Sequence, residues 1–252
     1  MKVTGSIVTY NSGDDIKKCI SSILRYTEDI DFSLYVSDNC STDDTVDIVR
    51  GSFPEVKLLQ NEKNGGFGYG HNKVISRVKS DYHVVINPDI ELRENTIKKL
   101  CDYLEEHPDV GMVSPKTLNP DGSEQFLPKT DPSFAYVVIS KFPGMKHLRR
   151  RYTRQDERFD APAEVESCSG CFFVARTKAL KELRGFDRRF YMYFEDADIS
   201  RRMRAKGYRL IFHPETSVVH DWHRDNTRSL RGIRIFLNSM IKYFGKWRKD
   251  RK

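Results

Sequence analysis

The run Phe32-Ser33-Leu34-Tyr35-Val36 is a strand pattern, halted at Asp38-Asn39 and followed by Ser41-Thr42-Asp43-Asp44 ahead of Val46-Asp47-Ile48-Val49. Residues rich in β-branched and aromatic side chains extend, and Asn and Asp stop them. The Ser, Thr and Asp side chains then offer oxygens to the free amides of a helix start. The same unit recurs on both sides. Residues 3–9 lead through Ile7-Val8-Thr9 to a break at Asn11-Ser12-Gly13, and Ile16, Cys19, Ile20, Ile23 and Leu24 follow at helical spacing. Val56-Lys57-Leu58-Leu59 precedes a glycine-rich loop, Asn64–Gly70, after which a helix is expected. Tyr82-His83-Val84-Val85-Ile86 ends at Asn87-Pro88-Asp89. Four strand–helix alternations within about 105 residues predict an α/β fold, with right-handed βαβ units on a mostly parallel central sheet flanked by helices.

In such sheets ligands bind beyond the carboxyl ends of the strands, where the strand order reverses. Four polar clusters therefore become candidates for one crevice: Thr9–Asn11, Asp38–Asn39, Asn61–Asn64 and Asn87–Asp89. Turn chemistry explains any one of them, but all four together much less readily.

The bulk composition narrows the class. At 252 residues the chain fits one large domain or two small ones. Charged residues at 31% exclude an integral membrane protein, and the longest apolar run, Phe134 to Ile139, is far too short to cross a bilayer. With no charged-then-apolar leader before the first strand, the expected location is the cytoplasm. Five scattered cysteines suit a reducing compartment. Cys168-Ser169-Gly170-Cys171 has the spacing of a redox or zinc knuckle but lacks a second Cys/His pair, so buried thiols are the expected reading. Of the net charge of +7, residues 228–252 carry nine Lys/Arg and one acid, a net +8, which leaves −1 for the body.

The second half is less regular. Val110–Thr117 and Val165–Val174 read as strands around a polar stretch bearing Arg149, Arg150, Arg151, Arg154 and Arg158, a solvated loop or the cover of a cleft. Gly185-Phe186-Asp187 makes a turn. A helix is predicted from about Phe194 to Lys206, with Glu195, Asp196 and Asp198 in its first turn. Acids there favour the helix dipole, and Arg201 and Arg202 are placed to pair with Asp198. Below the aromatic run Phe190, Tyr191, Tyr193 and Phe194, they equally describe a carboxylate against an apolar wall, suited to a general base. Two short strands, Tyr208 to Phe212 and Thr216 to Val219, are expected around His213-Pro214. The second delivers His220, with His223 three residues on. Asp38 offers only acceptors, which suits a base with an imide N–H, or else a turn cap. Asn87-Pro88-Asp89 presents one carboxylate and one amide, a modest oxygen set for Mg²⁺ or Mn²⁺ that substrate phosphates would complete.

Taken together, these residues resemble family 2 glycosyltransferases with the GT-A fold. The resemblance rests on Ile7-Val8-Thr9-Tyr10-Asn11, on Asp38 to Asp43, and on Asn64-Gly65-Gly66-Phe67-Gly68-Tyr69-Gly70-His71-Asn72. Asn87-Pro88-Asp89, Gly185-Phe186-Asp187 and Phe194-Glu195-Asp196-Ala197-Asp198 complete it, in family order. The glycine loop and the Asn-Pro-Asp version are most similar to bacterial WbbL-like rhamnosyltransferases, which build surface polysaccharides. The resemblance implies an inverting displacement on a nucleotide-diphospho-sugar, dTDP-rhamnose or a UDP-sugar, with a saccharide or polyprenyl-diphosphate-linked acceptor. It implies a donor site of Thr9, Tyr10, Asn11, Asp38, Asn64, Gly65, Asn72, Asn87 and Asp89. Asp89 and His220 would hold a divalent metal, with Asn87 where the family's motif has a second aspartate. Asp196 would be the catalytic base, supported by Glu195 and Asp198. Residues 1–227 would form the catalytic domain, 1–105 its nucleotide-binding half and 106–227 its acceptor half.

In residues 228–252, Leu230, Ile233, Leu237, Met240, Ile241, Phe244 and Trp247 recur at helical spacing among basic residues. Such a helix suits an anionic membrane surface, placing the enzyme at the inner face of the cell membrane; docking on the body is the alternative. The neutral body offers no basic groove for nucleic acid. Other readings are transfer of another hexose or an N-acetylhexosamine from a uridine donor, a nucleotidyltransferase, or a sugar-nucleotide-binding protein without turnover. Thr9-Tyr10-Asn11-Ser12-Gly13 lacks the glycines and cations a triphosphate loop needs.

Overall fold

The structure, a computed structural model, describes residues 1–139, 142, 144–222 and 229–248. The first half of the chain forms β1 (Lys2–Thr9), α1 (Gly13–Arg25), β2 (Asp31–Asp38), α2 (Thr45–Ser52), β3 (Lys57–Gln60), α3 (Phe67–Ile75), β4 (Tyr82–Ile86), β5 (Ile90–Glu91) and α4 (Thr96–Glu106). The second forms β6 (Val110–Leu118), β7 (Glu124–Gln125), α5 (Phe134–Val137), α6 (Lys146–Tyr152), β8 (Ala163–Glu164), β9 (Phe172–Arg176), α7 (Thr177–Glu182), α8 (Glu195–Ala205), β10 (Arg209–His220) and α9 (Leu230–Lys246).

One sheet runs through both halves in the order β3-β2-β1-β4-β9-β6-β10-β5, with β7 beside β6 and β8 beside β10. Apart from the two-residue strands, only β9 runs against the rest: it is antiparallel to β4 and to β6, whereas β3, β2, β1 and β4 are mutually parallel and β10 is parallel to β6. The mostly parallel sheet expected from the alternation is observed. Every residue of β4 is buried, as a central strand covered on both faces requires. On α1, Ile16, Cys19, Ile20 and Ile23 face the core, matching their spacing. Burying each such side chain contributes about 1.5–3 kcal/mol.

Four local expectations change. The helix after the glycine loop starts inside it, at Phe67, because α3 lies close on the sheet: a Cβ at Gly70 would stand 2.7 Å from a Val8 methyl. Residues 165–174 are not one strand, since β8 and β9 are separated by a turn at 167–171. The two strands around Pro214 are one, β10. The missing N–H is absorbed by a register shift against β6 between His213 and Ser217 rather than by a break. The arginine-rich stretch carries α6, none of whose residues is buried. His223, Arg228 and Lys249 to Lys252 lie outside the described residues.

The terminal helix α9 docks on the body. Tyr243, fully buried, joins Val137, Phe190, Phe194 and Ala197 in a small apolar cluster, against which Phe236, Met240, Phe244 and Trp247 also pack.

Candidate active site

At the carboxyl ends of β1 and β2, Thr9 and Asp38 are register neighbours, both buried. The Thr9 hydroxyl donates to Asp38 Oδ1 at 3.0 Å, and the Ser41 amide donates to Oδ2 at 3.0 Å. Asp38 therefore closes its own turn while holding the end of β1. Asn11, at φ 54°, accepts the Thr42 amide at 2.8 Å on its side-chain oxygen, and its own amide donates to Ser41 Oγ at 2.9 Å. Tyr10 between them stands half out in solvent. Two of the expected polar clusters meet in a second layer: Asn61 donates to Asn39 Oδ1 at 3.0 Å, and Asn39 donates to the Gly66 carbonyl at 3.0 Å. These amides tie the ends of β2 and β3 to the glycine loop.

In that loop, Asn64 Oδ1 accepts the Gly66 amide at 3.1 Å. Gly66 has φ 90°, and a Cβ there would meet the Tyr191 carbonyl oxygen at 2.1 Å. Only glycine suits both conditions. Gly65 is similarly covered by the Tyr69 ring. Asn72 is used elsewhere: its amide nitrogen donates to the Phe186 carbonyl at 2.8 Å and its oxygen accepts the Phe186 amide at 2.8 Å. It clasps α3 to the Gly185 turn, and both of its polar atoms are engaged there.

Beyond β4, Asp89 Oδ1 lies 3.3 Å from His220 Nε2, with Asn87 Nδ2 3.5 Å from the same nitrogen. Asp89 Oδ1 is buried and has no hydrogen-bond partner among the described residues. Gln125 orients the imidazole. Its NH₂ donates to the His220 carbonyl and to Asn119 Oδ1, both at 2.8 Å, so the oxygen left to face His220 Nδ1 at 3.0 Å can only accept. Nδ1 then carries a proton, which leaves Nε2 as the ring nitrogen that faces Asp89. A metal-ligating histidine usually donates its other ring N–H to an oxygen acceptor, the place that Gln125 Oε1 takes here. Among the described residues no cluster of three or more His, Cys, Asp or Glu forms a complete metal site. The protein supplies one carboxylate and one imidazole, and such a set suits a hard cation whose remaining ligands are substrate phosphates and water.

The acidic turn is held in an unusual backbone conformation. Tyr193 and Phe194 both have positive φ, 71° and 68°. For aromatic side chains this costs on the order of 1–3 kcal/mol each. Packing offsets it: the Phe194 ring lies 5.3 Å from Tyr243 and 5.5 Å from Phe236, both on α9. The turn separates the three acids into three environments. Asp198 has no exposed surface. Its Oδ1 receives Lys246 Nζ at 2.6 Å and Trp247 Nε1 at 3.0 Å, and its Oδ2 receives Arg202 Nε at 2.8 Å. It is a brace between α8 and α9 with no surface open to substrate. Glu195 is buried, and its Oε2 has no hydrogen-bond partner among the described residues. Burial, then the neighbouring Asp196 charge, push its carboxyl up to about 8, with Lys129 acting weakly against them. Only Asp196 is partly open to solvent, with Oδ1 accepting the Ala197 amide at 2.8 Å and Oδ2 receiving the Gly170 amide at 3.4 Å.

The turn at 168–171 joins the two halves. Gly170 touches Asp196, and the next carbonyl, Cys171, accepts the Asn87 amide at 2.8 Å. Asp196 and the Asn87–Asp89 turn thus flank one short segment, with His220 against Asp89. Cys168 and Cys171 within it are free thiols, and burial holds them up at about 12 and about 11, inert at neutral pH.

This arrangement has relatives. The family model described as glycosyl transferase family 2 matches residues 6–184. The chain belongs to glycosyl transferase family 2. Within this family, an N-acetylglucosaminyl-diphospho-decaprenol L-rhamnosyltransferase of Mycobacterium tuberculosis is 28% identical over 228 residues, covering 84% of this chain and 74% of that protein. The rhamnosyltransferase WbbL of Escherichia coli K12 is 24% identical over 259 residues, covering 96% and 92%. Among solved structures, the mannosyltransferase PcManGT from Pyrobaculum calidifontis in complex with GDP-Man and Mn²⁺ superposes with a TM-score of 0.68 at 19% identity, over 100% of this chain and 65% of that one. The protein is a family 2 glycosyltransferase with the GT-A fold, and no helix among its described residues is long and apolar enough to cross a membrane.

Proposed function

We propose that this glycosyltransferase moves rhamnose from dTDP-rhamnose to a hydroxyl of a saccharide or polyprenyl-diphosphate-linked acceptor, with inversion at the anomeric carbon. The observation that carries the reading is the placement of Asp196, partly open, across the Gly170–Cys171 segment from the Asp89–His220 pair. Likeness to two rhamnosyltransferases, one named for a diphospho-decaprenol acceptor, supports the choice of sugar and acceptor.

In this mechanism the acceptor O–H gives its proton to Asp196 while its oxygen bonds to the anomeric carbon. The bond from that carbon to the diphosphate oxygen breaks on the opposite face, and the nucleoside diphosphate leaves with the electron pair. Asp89 and His220 would hold a divalent cation, Mg²⁺ or Mn²⁺, which offsets charge on the departing diphosphate. Burial and the neighbouring Asp196 raise the Glu195 carboxyl and favour its neutral form beside the base. Thr9 and Asp38 would hold the nucleoside, with Asn11 and Asn64 nearby.

Turnover of dTDP-rhamnose, UDP-sugars and GDP-sugars with a lipid-linked acceptor tests this. The expected result is transfer from dTDP-rhamnose at least tenfold faster than from the others. Preferred transfer from a UDP-sugar would overturn the choice of donor.

A further inference from the structure

The apolar residues of α9 fall on two faces, and only one is used. Phe236, Met240, Phe244 and Trp247 turn inward onto the Phe194 cluster. Leu230, Ile233, Leu237 and Ile241, three or four residues apart, form a second stripe in solvent, with Leu230 87% and Ile241 68% exposed. Arg231 and Arg234 beside them are exposed as well. A second segment rests on the same cluster through Val137 of α5 and Val138 after it, and here Phe134, Ile139, Phe142 and Met145 are exposed. It continues into α6, where Lys146, Arg149 and Arg151 are exposed. Exposed aliphatic and aromatic side chains among exposed cations are the composition of a surface that sits at a lipid headgroup boundary.

We propose that the outer stripe of α9, the exposed side chains of Phe134, Ile139, Phe142 and Met145, and the cations of α6 form one docking surface for an anionic lipid bilayer. The apolar side chains enter the acyl boundary and the cations of α6 and α9 meet the headgroups. Because the inner face of α9 holds Phe194, the docked surface stands one helix thickness from the acidic turn. The surface argument does not depend on which sugar is moved.

Co-sedimentation of the full chain with phosphatidylglycerol/phosphatidylcholine vesicles and with phosphatidylcholine vesicles tests it. Binding to the anionic vesicles is expected, weakened about tenfold or more in the Leu230→Ser/Leu237→Ser/Ile241→Ser variant and in the Lys146→Gln/Arg149→Gln/Arg151→Gln variant. A salt titration of the wild-type chain, which needs no variant, is expected to release it from the anionic vesicles. Absence of binding, equal binding to both vesicle types, or a dimer in light scattering that the serine variant dissolves would each overturn the proposal. Donor turnover on a water-soluble acceptor is read separately, so loss of vesicle binding with intact turnover is distinct from failure of the sugar-transfer reading.

Discussion

Lys246 Nζ lies 2.6 Å from Asp198 Oδ1 and 2.8 Å from Asp187 Oδ2, so one cation of the last helix joins the acidic turn to the Gly185 turn. Arg202 completes the joint, donating from its other guanidinium nitrogens to the Leu183 and Gly185 carbonyls at 2.9 and 2.8 Å. The acid two residues after the proposed base is thus part of what holds that base in place.

Removing one partner of a buried ion pair leaves the other uncompensated. Asp198→Ala is expected to destabilise the protein by about 3–5 kcal/mol, as read by urea unfolding. Lys246→Met is expected to cost less, because Lys246 is partly exposed and Asp198 keeps Arg202 and Trp247.

The same joint is sensitive to acid. Burial alone would raise the Asp187 carboxyl, but its bonds to Arg189 and Lys246 outweigh that and hold it well below its ordinary value of 3.8. A depressed carboxylate contributes stability above its unfolded pKa, and that stability is lost as pH falls through the folded one. Melting temperature is therefore expected to fall more steeply with acid below about pH 4 in the wild type than in Asp187→Asn.

Glu195 works in the opposite direction. Its carboxyl is raised from 4.5 to about 8, so the folded state holds a proton that the unfolded state releases. Its contribution to stability is greatest below pH 4.5 and declines as pH rises towards about 8. In Glu195→Gln the slope of melting temperature between those pH values is expected to flatten.

Much of this site was legible from spacing. The Asn, Asp and Gly clusters that stop the first strands do lie at the carboxyl ends of one sheet, whereas the meeting of Asp89 with His220, 131 positions away, was implied by the family resemblance and not by spacing. What spacing could not separate is the fate of residues sharing one turn. Asp196 and Asp198 are both first-turn acids, and only the packing of α9 decides that one is open and the other buried. Asn72 looked like one more amide of the glycine loop, and its role depends on Phe186, 114 residues away. Gln125, in a two-residue strand, carries no sequence signal at all. The apolar arc of α9 was too wide to reveal that its residues serve two different faces.

Gln125 gives a test of the histidine. Gln125→Leu leaves Nδ1 of His220 without its acceptor, and Mn²⁺-dependent binding of the nucleotide sugar is expected to weaken by about 10–100-fold in calorimetry. Metal-free binding is expected to change little.

The aromatic prop under the acidic turn gives another. Tyr243→Ala opens a cavity beneath Phe194, with an expected loss of about 3–5 kcal/mol. Turnover in folded Tyr243→Ala is expected to fall while nucleotide affinity stays close to wild type.

The most direct measurement is sugar transfer by Asp196→Asn, made alongside the affinity of the same variant for the donor nucleotide. The amide keeps the size of the side chain and removes the proton acceptor, so turnover is expected to drop by about 10²–10⁴-fold with donor affinity nearly unchanged. Turnover within a fewfold of wild type would contradict the assignment of Asp196 as the base.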